Sequence, residues 1–146
     1  MDFGPITIDH IGIAAHDFEQ ASVFWNLLGL TQGEHDETVA EQGVKTRFFS
    51  TSKATTGSKP AKVELLVPTG PETPIGRFLE KRGPGIQQLC FRVGDLQGLL
   101  NHLKENGVRL IDETPRKGAG GMMIAFVHPS STGGVLVELA QPASIE

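Results

Sequence analysis

Apolar positions along this chain change period from about two to about 3.6, twice. Near residues 8–14 and 87–91 they alternate or run apolar over a few residues, as half-buried strands do. Between Asp17 and Gly29, the residues Phe18, Ala21, Trp25 and Leu28 fall on one helical face; between Asp95 and Gly107, Leu96, Leu99, Leu100 and Leu103 do the same. Asp17 and Asp95 are natural N-caps, Gln20 gives the first helix a capping-box-like start, and Gly29 and Gly107 suit the left-handed position that ends a helix. Both stripes are expected to be core. Thr73-Pro74, then residues 75–82 and Gly83, predict a short linker helix with its cap, first position and terminator.

The second half of this pattern repeats the first. His10 and Gln88, Asp17 and Asp95, and Gly29 and Gly107 are each 78 positions apart. Glu64 and Glu138, each inside a Val-Glu-Leu strand, are 74 apart, as are Pro68 and Pro142. The second copy has lost four loop residues opposite the stretch 51–60 of the first. Each copy reads as strand, helix and three strands, spanning about 6–68 and about 85–142, with the linker helix over about 69–84. One such copy is too small to bury a sheet alone. The expected fold is therefore α+β: a single domain over 1–146, its two βαβββ repeats forming one curled mixed sheet around a metal cleft.

Composition narrows the function without choosing it. The 146 residues are 38% hydrophobic and 21% charged, as in a globular domain. Net charge is −4 with no basic run, so no nucleic-acid footprint or polybasic membrane patch is present. Residues 1–13 lack the pattern of a signal peptide, and no stretch is apolar enough to span a membrane. The chain reads as soluble and cytoplasmic. Cys90 is the lone cysteine and is expected to be a buried small hydrophobe. No Gly is followed directly by Lys, which excludes a Walker-type phosphate loop. Arg116, Lys117 and the glycines after them form a loop able to meet phosphates.

The chemistry lies in the repeat. The offsets pair His10 with Gln88 and Glu64 with Glu138, polar side chains set in otherwise apolar strands, where they are costly unless partnered. Two such carboxylates at equivalent positions, together with a His and a Gln, ask for a shared cation. One nitrogen and three oxygen ligands suit Co, Ni, Mn, Mg, Fe or Zn with coordination positions left open. The plainer readings are a structural histidine, an ion-paired couple of glutamates and a glutamine that only hydrogen bonds a ligand. His16, His35 and His102 read as surface residues, and His128 before Pro129 as the cap of a turn.

These residues also carry a resemblance. Residues 8–14 (Ile-Asp-His-Ile-Gly-Ile-Ala), Glu41-Gln42-Gly43-Val44, Lys62-Val63-Glu64-Leu65-Leu66, the segment 78–83, and Gly118-Ala119 through Glu138 resemble the methylmalonyl-CoA epimerases of the vicinal-oxygen-chelate, or glyoxalase, superfamily. The likeness runs from about Ile6 to Gln141. It implies a divalent ion, most often cobalt, held by His10, Glu64, Gln88 and Glu138, an acyl-CoA substrate and a homodimer. It further implies epimerisation at C2 of methylmalonyl-CoA through an enolate, with Glu41 as one base and Glu138, a ligand able to exchange a proton, as the other. The family usually has two adjacent histidines after Gly-Ile in the second copy, where this chain has Gln87-Gln88. One His, one Gln and two Glu resemble the ligand set of animal-type glyoxalase I. A glyoxalase-like enzyme, another isomerase or lyase of the superfamily, and a metal-free small-molecule-binding protein of the same fold are the alternatives.

Overall fold

The computed structural model describes residues 2–52 and 59–143. In chain order its elements are β1 (Thr7–Ala14), α1 (Phe18–Leu28), β2 (Thr31–Gln32), β3 (Glu37–Val39), β4 (Val44–Ser50), β5 (Lys62–Pro68), α2 (Pro74–Arg82), β6 (Gly85–Arg92), α3 (Leu96–Glu105), β7 (Arg116–Lys117), β8 (Met123–Val127) and β9 (Val137–Gln141). The chain divides into two compact units. One is His10–Gln87; the other joins Met1–Asp9 to Gln88–Glu146.

In the unit His10–Gln87, β5 lies parallel to β1 and antiparallel to β4. The far edge of β4 pairs with β2 at Thr31↔Ser50 and with β3 at Glu37↔Thr46, so these two are pieces of one interrupted strand. The interruption has a cause. Gly33 donates its N–H to the Phe48 carbonyl, and Arg47 forks onto Asp36 with two contacts of 2.8 Å. The same guanidinium reaches Ser22 of α1 at 3.0 Å and lies 4.5 Å from the Phe18 ring centroid. It ties the broken edge to the helix.

In the other unit, β9 lies parallel to β6 and antiparallel to β8, which pairs with β7 and with a lone bridge at Leu110. Its edge strand is broken as well. Each copy is thus the expected strand, helix and three strands, with the first strand after the helix in pieces. The length difference falls between β4 and β5, where residues 53–58 lie outside the described residues.

The caps form as expected: Asp17 accepts from the Gln20 N–H, Asp95 from Gly98 and Thr73 from Gly76. Gly29 and Gly107 both have positive φ. Leu96, Leu99 and Leu100 of α3 pack with Val93, Ala125, Val127 and Leu139, which is the expected stripe. The α1 stripe needs correction. Phe18, Ala21 and Trp25 are only half-buried, Leu28 is exposed, and the buried residue is Ser22. The helix is turned toward Arg47, which leaves Val23, Phe24 and Leu27 outward. No helix among the described residues is long and apolar enough to cross a membrane.

Candidate functional site

Glu64 sits in the middle of β5, in register with Gly12 of β1 and Phe48 of β4. It is 2% exposed, and its Oε1 lies 2.9 Å from Nε2 of His10, itself 5% exposed. The contact follows from pleating: His10 and Gly12 face the same way along β1, as Lys62 and Glu64 do along β5. Phe48 sets its ring edge-on to the imidazole at 5.5 Å. A buried carboxylate, an imidazole and an aromatic wall are therefore packed by three neighbouring strands.

The other unit repeats this arrangement. Glu138 of β9 is in register with Cys90 of β6 and Phe126 of β8. Gln88, two residues before Cys90 on the same face, donates its Nε2 to Glu138 Oε1 at 2.6 Å. Both side chains are buried. The face opposite carries Val137 and Leu139 against α3, so the polar pair points away from that helix. Cys90, fully buried with Ile124, Phe126 and Ala140, is the expected hydrophobe.

The His10–Glu64 pair has a spacing that fits a divalent cation. Two ligand atoms each about 2.1 Å from one ion, at right angles across it, stand about 3.0 Å apart. His10 Nε2 and Glu64 Oε1 stand 2.9 Å apart, whereas the 2.6 Å contact in the other pair is made by the Gln88 amide nitrogen, which is not a ligand atom. For Gln88 to ligate, its amide must turn over, because the nitrogen now faces Glu138 and only the oxygen can bind a cation. His10 needs no such change, since its Nε2 already meets the carboxylate.

Glu41, the expected proton-handling residue, lies on a short 3-10 turn, Ala40–Gln42, and is exposed. Gly43 ends that turn with φ of 64°, and a Cβ there would come within 2.5 Å of Thr73 Cγ2, so the Glu-Gln-Gly segment has a conformational reason. His16 and His35 are exposed, while His102 is half-buried against the Phe3 ring. His128 caps the turn at Pro129 by accepting from the Ser130 N–H.

Sequence reasoning missed three participants. Phe48 and Phe126, 78 positions apart, flank the two glutamates, and that offset could have revealed them. Asp9, read only as part of a motif, is a buried carboxylate 2.9 Å from Arg92 of β6. A long-range ion pair of this kind has no local sequence signal.

Two repeats of strand, helix and broken three-strand ladder, each with a buried polar pair against a phenylalanine, define a duplicated α+β class of protein with a metal-compatible donor set. Residues 9–126 match the Glyoxalase/Bleomycin resistance protein/Dioxygenase superfamily. The chain belongs to that family, which is the vicinal-oxygen-chelate fold expected from its sequence. It is 42% identical to the protein YqjC of Bacillus subtilis over 92% of this chain and 91% of that one. It is 35% identical to the ethylmalonyl-CoA/methylmalonyl-CoA epimerase of Cereibacter sphaeroides, over 92% and 96%. Among solved structures, a Streptomyces coelicolor methylmalonyl-CoA epimerase variant in complex with 2-nitronate-propionyl-CoA is 33% identical, with a TM-score of 0.87 over 96% of both chains.

Proposed function

We propose that this chain is an isomerase that interconverts the C2 epimers of methylmalonyl-CoA, or of a closely similar acyl-CoA, and that its two repeats work as one domain. We assign His10, Glu64, Gln88 and Glu138 to one divalent ion. The observation that carries the reading is the duplicated buried pair, His10 with Glu64 and Gln88 with Glu138. Likeness to epimerases over nearly the whole chain supports the substrate class.

A divalent cation bound there supplies Lewis-acid stabilisation to negative charge developing on an enolate oxygen. The chain's own residues do the rest. Glu41 takes or returns the C2 proton on one face of the planar intermediate, and Glu138 does so on the other. Glu64, with its imidazole partner, stays in place as an anchor. Phe48 and Phe126 supply apolar walls that keep water from competing for the enolate. Cobalt is the expected ion, with Ni, Mn, Mg, Zn and Fe compatible with the same donors. On this reading the enzyme works as a cytoplasmic homodimer.

The test is deuterium wash-in. Purified protein, with its metal content measured, is incubated with methylmalonyl-CoA in heavy water. Exchange at C2 coupled to epimerisation is the expected result; metal-loaded protein that exchanges no deuterium would overturn the assignment. Gln88 favours a second reading, a glyoxalase I-like isomerisation, because the donor set becomes one His, one Gln and two Glu. Turnover of the hemithioacetal of methylglyoxal and glutathione, with no exchange at C2, would select it.

A further inference from the structure

Lys62 stands at the same site and is used by none of the roles above. It lies on β5, a strand paired on both sides, two residues before Glu64 on the same face and in register with His10. Its side chain is half-buried, with Nζ 5.9 Å from the centroid of the Phe48 ring, the ring that also packs against His10. Among the described residues its ammonium makes no ion pair. A half-buried lysine lays its stem along apolar surface and keeps its charged head accessible. The duplicated strand shows that its architecture does not need one, because the position 74 residues on is Leu136, which packs against Cys90, Ile124, Phe126 and Ala140. One copy keeps a hydrophobe where the other places a lysine on the strand face of Glu64, in register with His10.

We propose that Lys62 is a specificity-determining residue: its ammonium receives the free carboxylate of a malonyl-type acyl group, so that the site selects carboxylated over neutral acyl thioesters. This rests on the acyl-CoA reading above. The Phe48 ring holds the ammonium in place through its π face while leaving its hydrogen-bond donors for a ligand. A carboxylate bonded to the carbon that loses its proton travels with the reacting atoms. An ammonium carried on the strand face of Glu64 and in register with His10 is where such an anion would be read.

The test measures binding of malonyl-CoA and of isovaleryl-CoA, which has similar branching and no charge on its acyl group, to the metal-loaded protein. Lys62→Met keeps the stem over Phe48 and removes only the charge. Lys62→Arg restores a cation. The unaltered protein should prefer malonyl-CoA. The methionine variant should lose about 10- to 100-fold of that preference, the usual scale for a hydrogen bond to a charged group, at unchanged metal content. The arginine variant should recover part of it. A preference that survived Lys62→Met and vanished in Arg116→Met would overturn the assignment and move the anion site to that guanidinium. Failure of the unaltered protein to bind either thioester would instead overturn the acyl-CoA reading, and this inference with it.

Discussion

An imidazole outranks a carboxamide as a ligand for late transition ions, so the residue at position 88 offers a direct test of the proposed ligand set. If Gln88 ligates through its oxygen, Gln88→His should tighten Co or Ni binding in a competition titration. Unchanged affinity would leave Gln88 with the role it has in the structure, holding Glu138 in place from 2.6 Å away. Glu41 carries a different expectation because it is exposed on a turn. Glu41→Gln should leave metal content and melting temperature near those of the unaltered protein while activity falls by roughly two to four orders of magnitude. Retained epimerisation and C2 exchange would pass the proton to His128 or to water. At this scale the sequence picks out the four side chains that prove to be buried, but not their contacts. The repeat offsets match His10 to Gln88 and Glu64 to Glu138, because offsets report equivalence. The contacts of 2.9 and 2.6 Å run the other way, since neighbouring parallel strands within one copy set them.

Caps, glycine terminators and the α3 stripe were legible because each is fixed by residues a few positions apart. The break between β2 and β3 was not, because it depends on Arg47 reaching Asp36, Ser22 and Phe18, contacts up to 29 positions apart in sequence. That clamp makes a pH prediction. Its hydrogen bond to Arg47 lowers the pKa of Asp36 from 3.8. A carboxyl whose folded pKa is depressed contributes stability above its unfolded value, and that contribution is lost as pH falls through the folded value. Asp36→Asn should therefore cost up to about 1 kcal/mol at pH 7, modest because the carboxylate is partly exposed, and less at pH 2. Denaturant melts at the two pH values would show it; an equal cost at both would mean the effect is not ionic. Helix α2 gives a steric counterpart. A Cβ at Gly76 would come within 2.4 Å of the Gly70 carbonyl oxygen, backbone that cannot swing aside as a side chain can. Gly76→Ala, ordinarily favoured in a helix, should instead destabilise by about 2 kcal/mol or more, lowering the melting temperature by several degrees.

For the molecule as a whole, the question is whether the duplication serves one ion or merely survives as architecture. Each copy sets a buried glutamate at the equivalent strand position, Glu64 at 2% and Glu138 at 5% exposure, bonded to a neutral or basic side chain of its own unit. If each pair were only structural, removing one carboxylate would weaken its own unit and leave metal affinity untouched. If one ion uses both, Glu64→Gln and Glu138→Gln should each lower affinity by roughly two orders of magnitude or more, although the substitutions lie in different copies. The double variant should then lose less than the two single losses combined, because both substitutions act on the same ion. Metal binding only to the folded chain raises its stability by mass action, so the unaltered protein should bind one ion per chain, melt lower after chelation and recover on refilling. Neither glutamine variant should respond to metal in that way. Two ions per chain, or a thermal response lost in only one of the two variants, would show that the copies do not share a site, and the epimerase chemistry would then have to be rebuilt on the half that retains the metal.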